Sequence, residues 1–381
     1  MYDPIDLPDE TIALRDLTRR IVEDHQMPLE KRILDGEELT EADFAPGAAA
    51  AREAGLWGLS LPEEHGGADL SAFNLMAVTE IAAWSLAQLR FGGSVPAALL
   101  TCAGEQRVRY TEPLLAGTKQ YAFAQTEPGG GADPGGSIRT RAVRDGEDWV
   151  LNGSKVFISR AASADVVFVV AVTDSGKRQH GGISMFAVDR DNPGMIISRE
   201  IEVLGGMKVH ELFFEDCRVP GYAILGGEGT GFRQAQAMLS SARMTVAATA
   251  LGIATRALAM TIAYAKRRAT FGGPLSEKQA VQGFIVDSWT EIHTARLALY
   301  NAARRTDAGH DTRVEAGMVK VLGTETVGRV LDRAIQVHGA AGASLDSPLA
   351  HWYGLQRMSR IYEGPTEVHK YHVIARKLLR D

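Results

Sequence analysis

The sequence is poor in the features that mark secreted, membrane-spanning and nucleic-acid-binding proteins. Its 381 residues include two cysteines, Cys102 and Cys217, which lie far apart and form no CxxC pair. This fits a reducing compartment and no disulfide framework. No stretch has the roughly 18 consecutive apolar residues that a membrane-spanning helix needs. The first residues, MYDPIDLPDE, are acidic and lack the apolar segment of a secretion signal. We therefore expect a cytoplasmic protein without a membrane span.

An excess of positive charge is also missing. The formal net charge is −6, which argues against nucleic acid as the main partner. The glycine-rich stretches match neither a P-loop nor the GxGxxG fingerprint, because position 134 is proline and no strand-to-helix context surrounds it. Any nucleotide cofactor would therefore bind without a Rossmann fold. We find no nucleophile motif such as GxSxG, and no third ligand accompanies His369 and His372, so no metal site is expected.

The residues that are present divide the chain into three segments with different patterns. Residues 1–118 contain segments with helical spacing, including DETIALRDLTRRIVEDH and LMAVTEIAAWSLAQLR. Residues 119–226 contain short β-branched and aromatic runs separated by turns, which predict an antiparallel β domain of five to eight strands. Residues 227–381 predict four long helices with short connections, typical of a bundle. The predicted bundle helices are 232–268, 279–306, 312–337 and 366–380.

Several stretches could perform chemistry, although each also has an ordinary structural explanation. QTEPGGGADPGG (125–136) could cradle phosphate or approach a flat ring through its backbone, or could be a flexible connector. Arg268 could clamp a diphosphate, or could only complement the dipole at a helix end. Arg243, within an apolar helix, could contact a ligand or extend to the surface. VHGAAGASLDSP (337–348) is explained adequately as a link between the third and fourth bundle helices.

Glu363 lies in RIYEGPTEVHKY, where Gly364 and Pro365 interrupt the helical pattern. This predicts a turn, followed by a helix that begins near Thr366 as its N-cap. Short links of this kind often present functional side chains. These twelve residues alone nevertheless favour a solvated loop glutamate.

Six stretches of the sequence form an ordered set: PEEHGG (62–67), AQTEPGGGAD (124–133), LNGSKVFIS (151–159), RRATFGGPLSEKQ (267–279), QVHGAAG (336–342) and IYEG (361–364). In this set and its order the sequence resembles the acyl-CoA dehydrogenase family of flavoproteins over nearly its whole length. The resemblance implies a multidomain α+β fold with a helical N-terminal domain, an antiparallel, barrel-like middle domain and a C-terminal four-helix bundle. It also implies FAD, bound between the middle domain and the bundle and completed by a neighbouring subunit of a homotetramer, a dimer of dimers.

The resemblance implies an oxidoreductase of lipid and fatty acid metabolism that converts an acyl-CoA thioester to the trans-2-enoyl-CoA. Glu363 would remove the α-proton, hydride would pass to flavin N5, and an electron-transferring flavoprotein would accept the electrons. This chemistry needs a carboxylate whose pKa is raised by desolvation, and hydrogen-bond donors on the thioester oxygen. The backbone N–H of Glu363 would be one donor, and Gly364 would leave room for the thioester. Some branches place the base on the first bundle helix, where this chain has Ala242 and no acid.

The family's contact positions fall on specific residues of this sequence. Those matching cofactor contacts are Phe123, Gln125, Thr126, Gly131, Ala132, Phe157, Ser159, Arg268, Phe271, Gln279, Gln336, Gly339, Ala340, Pro365 and Glu367. Those matching substrate contacts are Ala132, Arg243 and Gly364. The acyl group is not determined, because chain length depends on a slot near Ala82, Leu86, Phe91 and Ser94.

Three departures from the family pattern concern the cofactor. Ala132 stands where most relatives have serine, which removes a hydroxyl. Phe157 stands where tryptophan is commoner, which keeps a ring but loses its N–H. Pro365 and Glu367 stand where a hydroxyl and an amide often touch FAD.

Other functions of the same fold stay open. An acyl-CoA oxidase passes its electrons to oxygen, but oxidases are generally longer; a flavin monooxygenase usually lacks the IYEG glutamate. An enoyl-CoA reductase would run the reaction in reverse. A catalytically silent helical scaffold is disfavoured by the glycine-rich loop and Glu363, and flavin content after purification would test it.

Overall fold

The computed structural model describes residues 5–92 and 95–380, whose contacts divide the chain into two units. The helical unit comprises residues 5–63, 67–91 and 240–380, and therefore contains parts of both the first and the third predicted segments. The β unit comprises residues 64–66, 92 and 95–239. The predicted domain boundaries after residues 118 and 226 stay a prediction.

The α-helices of the described residues are numbered in chain order. They are α1 (Asp9–Ile21), α2 (Met27–Leu34), α3 (Glu41–Glu53), α4 (Ala72–Ala82), α5 (Ala97–Leu100), α6 (Gly104–Gln106), α7 (Glu112–Ala116), α8 (Pro134–Ser137), α9 (Gly231–Arg267), α10 (Gln279–Asp307), α11 (Arg313–His338), α12 (Ala340–Ala343), α13 (Pro348–Ser359) and α14 (Ala375–Arg380). Wider π-helical turns at Val22–Gln26, Arg107–Thr111 and Val368–Ile374 extend three of these segments.

The N-terminal helices match the predicted pattern, with shorter limits. The periodic segment that starts at Asp9 forms α1 and continues through the π-helical turn into α2. The second predicted helix begins earlier, because the hydroxyl of Ser71 accepts the backbone N–H of Asn74 as an N-cap. It ends at Ala82, so the remainder of LMAVTEIAAWSLAQLR is not helical.

The bundle differs from the prediction in its last part. Between α11 and the C-terminal helical segment lies α13, which the sequence interpretation missed. Its start is marked by Ser347, whose hydroxyl accepts the N–H of Leu349, and by Pro348 at the first helical position. Thr366, predicted as an N-cap, is already helical, and its hydroxyl donates to Glu325 at 3.1 Å. The predicted helix 366–380 is present, but its middle part, Val368–Ile374, is a π-helical turn that precedes α14.

Close packing in the helical unit depends on Gly252 of α9. A Cβ at this position would overlap the backbone oxygen of Glu80 in α4. We expect Gly252→Ala to lower the free energy of unfolding by about 1 to 3 kcal/mol through overpacking. The matched control is exposed Gly283 in α10, where a Cβ meets nothing within 4 Å. Gly283→Ala should stabilise by roughly 0.5 to 1 kcal/mol through helix propensity. Equal urea midpoints for the two variants would contradict this account.

Within the described residues, α9 alone is long and apolar enough to cross a membrane by length and composition. More than half of its most apolar stretch, 56%, is buried inside the protein. Its alanines and leucines enter two of the unit's hydrophobic clusters, together with α10 and α11. The composition of α9 is therefore that of a core helix.

The β unit is built on an eight-stranded mixed sheet, and a separate two-stranded hairpin belongs to the helical unit. The strands are β1 (Tyr121–Ala124), β2 (Arg141–Asp145), β3 (Asp148–Ser159), β4 (Val166–Val172), β5 (Ile183–Asp189), β6 (Met195–Glu202), β7 (Lys208–Val219), β8 (Ile224–Leu225), β9 (Ala269–Thr270) and β10 (Gly273–Pro274). The large sheet has the order β6-β7-β3-β2-β4-β5-β8, with β1 paired to β4. The predicted strand number is confirmed.

The sequence analysis predicted an antiparallel sheet, but the observed sheet is mixed. β1 pairs parallel with β4, and β2 meets β4 in parallel at one position, Arg141 opposite Val172. A parallel pair needs a long crossover, and the segment between β1 and β4 provides one because it contains the β2–β3 hairpin. β4, VVFVVAV, is buried on both faces, which explains its uninterrupted apolar run.

Candidate active site

Glu363 lies on the link between α13 and the C-terminal helical segment. Its φ is +56°, and that of Gly364 is +93°. A left-handed backbone costs a residue with a side chain on the order of 1 to 3 kcal/mol, and such strain concentrates at functional sites. The turn is closed by the N–H of Thr366, which donates to the carbonyl of Arg360 at 3.2 Å. The sequence predicted the turn, but not the strained conformation of the glutamate.

The carboxyl group of Glu363 has an unsatisfied hydrogen-bonding capacity, which is unusual for a buried ionisable group. Its Oε2 atom is buried and has no hydrogen-bond partner among the described residues. Burial raises the pKa of this carboxyl, and the cations Arg243 and Lys320 offset part of that increase. A buried oxygen without a partner is costly in an ordinary loop. A raised pKa in this setting is typical of a group that accepts a proton during a reaction.

The backbone of this link is held by three basic side chains from three different helical segments. Arg243 of α9 donates through Nε to the carbonyl oxygen of Glu363 at 3.3 Å. His369 donates through Nε2 to the same oxygen at 3.0 Å. Lys320 of α11 donates through Nζ to the carbonyl oxygen of Gly364 at 2.8 Å. Arg243 was predicted to contact substrate; here it contacts the backbone of the predicted base.

The sequence interpretation missed Lys320 and treated His369 as an ordinary helix residue. Both side chains are buried. Burial lowers the pKa of Lys320 to about 8, against opposing attraction from Glu363. Burial also lowers the pKa of His369 to about 4, so the imidazole is neutral at neutral pH. The only sequence signal for them is a lysine or a histidine on the otherwise apolar face of a helical segment, because such a face is usually buried.

The glycine-rich loop of the β unit is anchored by a buried ion pair. Lys155 of β3 is fully buried, and its Nζ donates to Glu127 at 2.7 Å and to the carbonyls of Gln125 and Val170 at 3.1 and 2.7 Å. Burial lowers the pKa of Lys155 to about 8. Burial alone would raise the pKa of Glu127, but Lys155 and the Thr140 contacts outweigh it and lower the pKa. The pair therefore fixes the first residues of the loop to two strands.

The predicted cofactor residues of the β unit lie on or near this loop. Val156 donates its N–H to the carbonyl of Thr126 at 2.9 Å, which joins the loop to β3. Phe157 has φ +59° and is 56% exposed, so its ring is presented to the surface at the cost of strain. Ser159, Gly131 and Ala132 are exposed, and Phe123 on β1 is half-buried.

The predicted cofactor residues of the helical unit lie at two places on its surface. Phe271 is 95% exposed with φ +47°, at the tip of the β9–β10 hairpin, and Lys278 holds its carbonyl at 3.2 Å. Arg268 and Gln279 flank this hairpin and are exposed. The second place is the end of α11, with exposed Gln336, Gly339 and Ala340. Pro365 and exposed Glu367 follow the Glu363 link directly.

The residues predicted to set the acyl-chain slot are only partly brought together. Ala82 and Phe91 pack in one hydrophobic cluster of the helical unit, whereas Leu86 packs against another. Ser94 lies outside the described residues. The described residues contain no cluster of three or more His, Cys, Asp or Glu suited to a metal ion. The slot stays a prediction.

Sequence models of three domains from one family match almost the whole chain. The acyl-CoA dehydrogenase N-terminal domain matches residues 8–118, the middle domain residues 122–217, and the C-terminal domain residues 229–379. The chain belongs to the acyl-CoA dehydrogenase family. The predicted family and fold class are therefore confirmed, and the protein is an oxidoreductase.

Similar acyl-CoA dehydrogenases include two that act on substituted succinyl-CoA thioesters. The (R)-benzylsuccinyl-CoA dehydrogenase of Thauera aromatica is 36% identical over 394 residues, which cover 98% of this chain and 97% of that protein. The (2S)-methylsuccinyl-CoA dehydrogenase of Cereibacter sphaeroides is 35% identical over 390 residues, covering 98% and 70%. The structure of butyryl-CoA dehydrogenase from Megasphaera elsdenii matches with a TM-score of 0.86 at 30% identity, covering 99% of this chain and 100% of that chain.

Acyl-CoA dehydrogenases are FAD-dependent flavoproteins, and the β unit has features that fit a flavin. Oε1 of Gln125 is buried and lacks a hydrogen-bond partner within the described part of the chain. Gly131 has φ +158°, and a Cβ there would meet nothing within 4 Å, so the loop backbone is open to a close approach. The exposed ring of Phe157 on β3 supplies an aromatic surface, one residue after Val156, which is hydrogen-bonded to Thr126 of the loop. The predicted cofactor class is confirmed.

Proposed function

We propose that this protein removes the α and β hydrogens of an acyl-CoA thioester to give the trans-2-enoyl-CoA, with Glu363 as the base. The observation that supports this most directly is the carboxyl of Glu363, with one buried oxygen unpartnered and its pKa raised by burial. A carboxylate with a raised pKa is a stronger base than one in water, as α-proton removal requires.

The proposed roles of this chain's residues follow from the strained link. The carboxylate of Glu363 accepts the α-proton, and the backbone N–H of the same residue donates to the thioester oxygen as negative charge develops there. Arg243, His369 and Lys320 donate to the carbonyl oxygens of the link, so those oxygens are engaged in hydrogen bonds within the protein. When bound, FAD supplies the acceptor for the β-hydrogen as hydride.

The assignment of residues to FAD is part of this proposal, and their exposure and backbone strain support it. Phe157 and Phe271 both hold a positive φ while presenting an aromatic ring to the surface. Exposed aromatic side chains in a strained conformation have no packing benefit that would offset their cost. We assign them to contacts with the cofactor. We also propose an electron-transferring flavoprotein as the electron acceptor and a homotetramer as the assembly.

Anaerobic titration with acyl-CoAs tests the function and the substrate class together. The set should include butyryl-CoA, a long-chain acyl-CoA, methylsuccinyl-CoA and benzylsuccinyl-CoA, because similar proteins act on succinyl-type thioesters. We expect one class to bleach the visible absorbance of the oxidised flavin, with the matching enoyl-CoA as product by mass spectrometry. The free acid of the same substrate is the control and should leave the absorbance unchanged.

Admission of air after bleaching separates the alternatives within the family. Rapid recovery of the oxidised spectrum with stoichiometric hydrogen peroxide would identify an oxidase, whereas recovery only on addition of an electron-transferring flavoprotein supports the proposal. A protein that cannot take up FAD, or a flavoprotein that no acyl-CoA reduces, would contradict the proposed function.

A further inference from the structure

The carbonyl oxygens of Glu363 and Gly364 are both held by side chains that lie outside the link itself. The two donors with the shortest distances are Lys320 at 2.8 Å and His369 at 3.0 Å. Both are buried, although lysine and histidine seldom are without a specific partner. For each of them, that partner is the backbone next to the carboxyl of Glu363.

We propose that His369 and Lys320 are positioning residues for the base: together they hold the peptides that flank Glu363 and keep its carboxyl aimed at the substrate. The inference rests on the proposed function, since it assigns a task to two residues that do not themselves contact the reacting atoms. Arg243 shares the contact with the Glu363 carbonyl at the longer distance of 3.3 Å.

The surroundings of His369 are shaped to its imidazole. Because Nε2 donates to a carbonyl oxygen, the neutral ring bears its proton on Nε2. Nδ1 is buried and has no partner among the described residues. Glycines lie on both sides of the ring: a Cβ on Gly317 of α11 would be 3.0 Å from Nδ1, and one on Gly364 would be 2.8 Å from Nε2. A side chain at Gly364 would force the ring to shift, and one at Gly317 would require it to move by a few tenths of an ångström, so the present ring position depends on both glycines.

The position of Gly364 also bears on its predicted role. A side chain there would point toward His369, and φ of +93° is unfavourable for any other residue. The structure thus provides a reason for glycine at this position that is independent of substrate. Room for the thioester stays a prediction.

Lys320 contributes charge as well as a hydrogen bond. The carboxyl of Glu363 is faced by Arg243 from α9, Lys320 from α11 and the neutral His369 from the C-terminal segment, with Tyr362 adjacent in sequence. Lys320 is itself attracted by Glu363, Glu325 and Glu367 and repelled by Arg243. Removal of the Lys320 cation should make Glu363 harder to ionise.

The two residues should therefore fail in different ways. For His369→Leu, which cannot donate, we expect the rate of flavin reduction to fall about 10- to 100-fold, as for a misplaced catalytic group. His369→Gln, whose amide can donate from nearly the same place, should recover most of the rate. Because His369 is neutral, the pH at which the rate is half-maximal should stay within a few tenths of wild type.

For Lys320→Met we expect the acidic limb of the pH–rate profile to move upward by about 1 pH unit, because an opposite charge is lost near the carboxyl. Lys320→Arg keeps the charge and should keep the limb in place. A readout without substrate is the infrared band of protonated Glu363, identified by its loss in Glu363→Gln. Its titration should show the same upward shift in Lys320→Met, with or without FAD.

The position of the His369 ring can also be changed by a substitution at a neighbouring residue, without altering His369 itself. Gly317→Ala should displace the ring and slow flavin reduction, even though alanine favours a helix over glycine. In the His369→Ala background the same substitution should cost nothing more, since the two act through one contact. Additive losses would show that Gly317 acts elsewhere and would count against the positioning role.

The outcomes are separable from those of the proposed function. If no acyl-CoA reduces the wild-type flavin, the proposed function fails, while the infrared titration still reports whether Lys320 controls Glu363. If wild type is active, and His369→Leu reduces flavin at the wild-type rate while Lys320→Met leaves both pH profiles unshifted, the inference is overturned. A His369→Leu variant that does not fold is replaced by Gly317→Ala, which must then be slower than wild type.

Discussion

Replacing Glu363 with glutamine is expected to slow reduction of the bound flavin by about 10²- to 10⁴-fold, the usual contribution of a positioned general base. Glutamine has almost the same shape but cannot accept the α-proton. The acyl-CoA should still bind, so the affinity for substrate should change much less than the rate. Rapid-mixing measurements of flavin absorbance with the best acyl-CoA from the titration would provide both quantities.

The same substitution is not expected to lower stability, although it lowers the rate. Because burial raises the pKa of Glu363, the folded state holds a proton that the unfolded state has lost at pH values between the unfolded and the folded pKa. The stability contributed by this group is full below its unfolded pKa and is lost as pH rises through the folded pKa. Glutamine does not ionise, so Glu363→Gln should unfold at the same or a higher temperature than wild type at neutral pH.

The pH dependence of the reaction follows from the same shift. Only the ionised carboxyl accepts a proton, so the rate should rise with pH through a midpoint above that of an ordinary glutamate. The control is Glu53→Gln, the same chemical change at an exposed position of α3, which should leave rate and stability near wild type. Wild-type flavin reduction by Glu363→Gln would remove this residue from the mechanism.

Replacing Lys155 with methionine should cause the largest loss of stability among the changes considered. It would leave the carboxylate of Glu127 buried without its cation, and breaking a buried ion pair at one partner costs about 3 to 5 kcal/mol. Glu127 would retain the backbone donors of Arg139 and Thr140 and the Thr140 side chain, but no cation. Urea unfolding at neutral pH would measure the change. Since Lys155 also holds the carbonyl of Gln125, we expect weaker retention of FAD.

Two controls separate charge burial from loss of a lysine. The surface pair Lys177–Asp174 spans 3.1 Å, but Lys177 is 67% exposed, so Lys177→Met should cost no more than about 1 kcal/mol. The double variant Lys155→Met with Glu127→Gln removes both charges and should recover part of the stability lost by Lys155→Met alone. A single Lys155→Met variant as stable as Lys177→Met would refute the assignment of a stabilising buried pair.

Much of the fold was predictable because local sequence patterns specify it. Periodic apolar residues predicted α1 and the long bundle helices, and β-branched runs between Gly-containing turns predicted the strands of the β unit. The signal for α13 was also present, in Ser347 and Pro348, but the preceding glycine-rich stretch was interpreted as a single loop. The parallel pairing of β1 with β4 could not be predicted in this way, because strand order depends on contacts between distant segments.

The candidate active site also has features that follow from local sequence and features that depend on tertiary packing. The sequence by itself determined the family, the Gly-Pro link and the position of Glu363 on it, since these depend on short motifs and their order. Only the tertiary structure decided that Lys155, Lys320 and His369 are buried, because burial depends on what packs against a side chain from elsewhere in the chain. It also decided the pKa of Glu363. Desolvation raises that pKa and the charges of Arg243 and Lys320 oppose the increase, and both residues are more than 40 positions away in sequence.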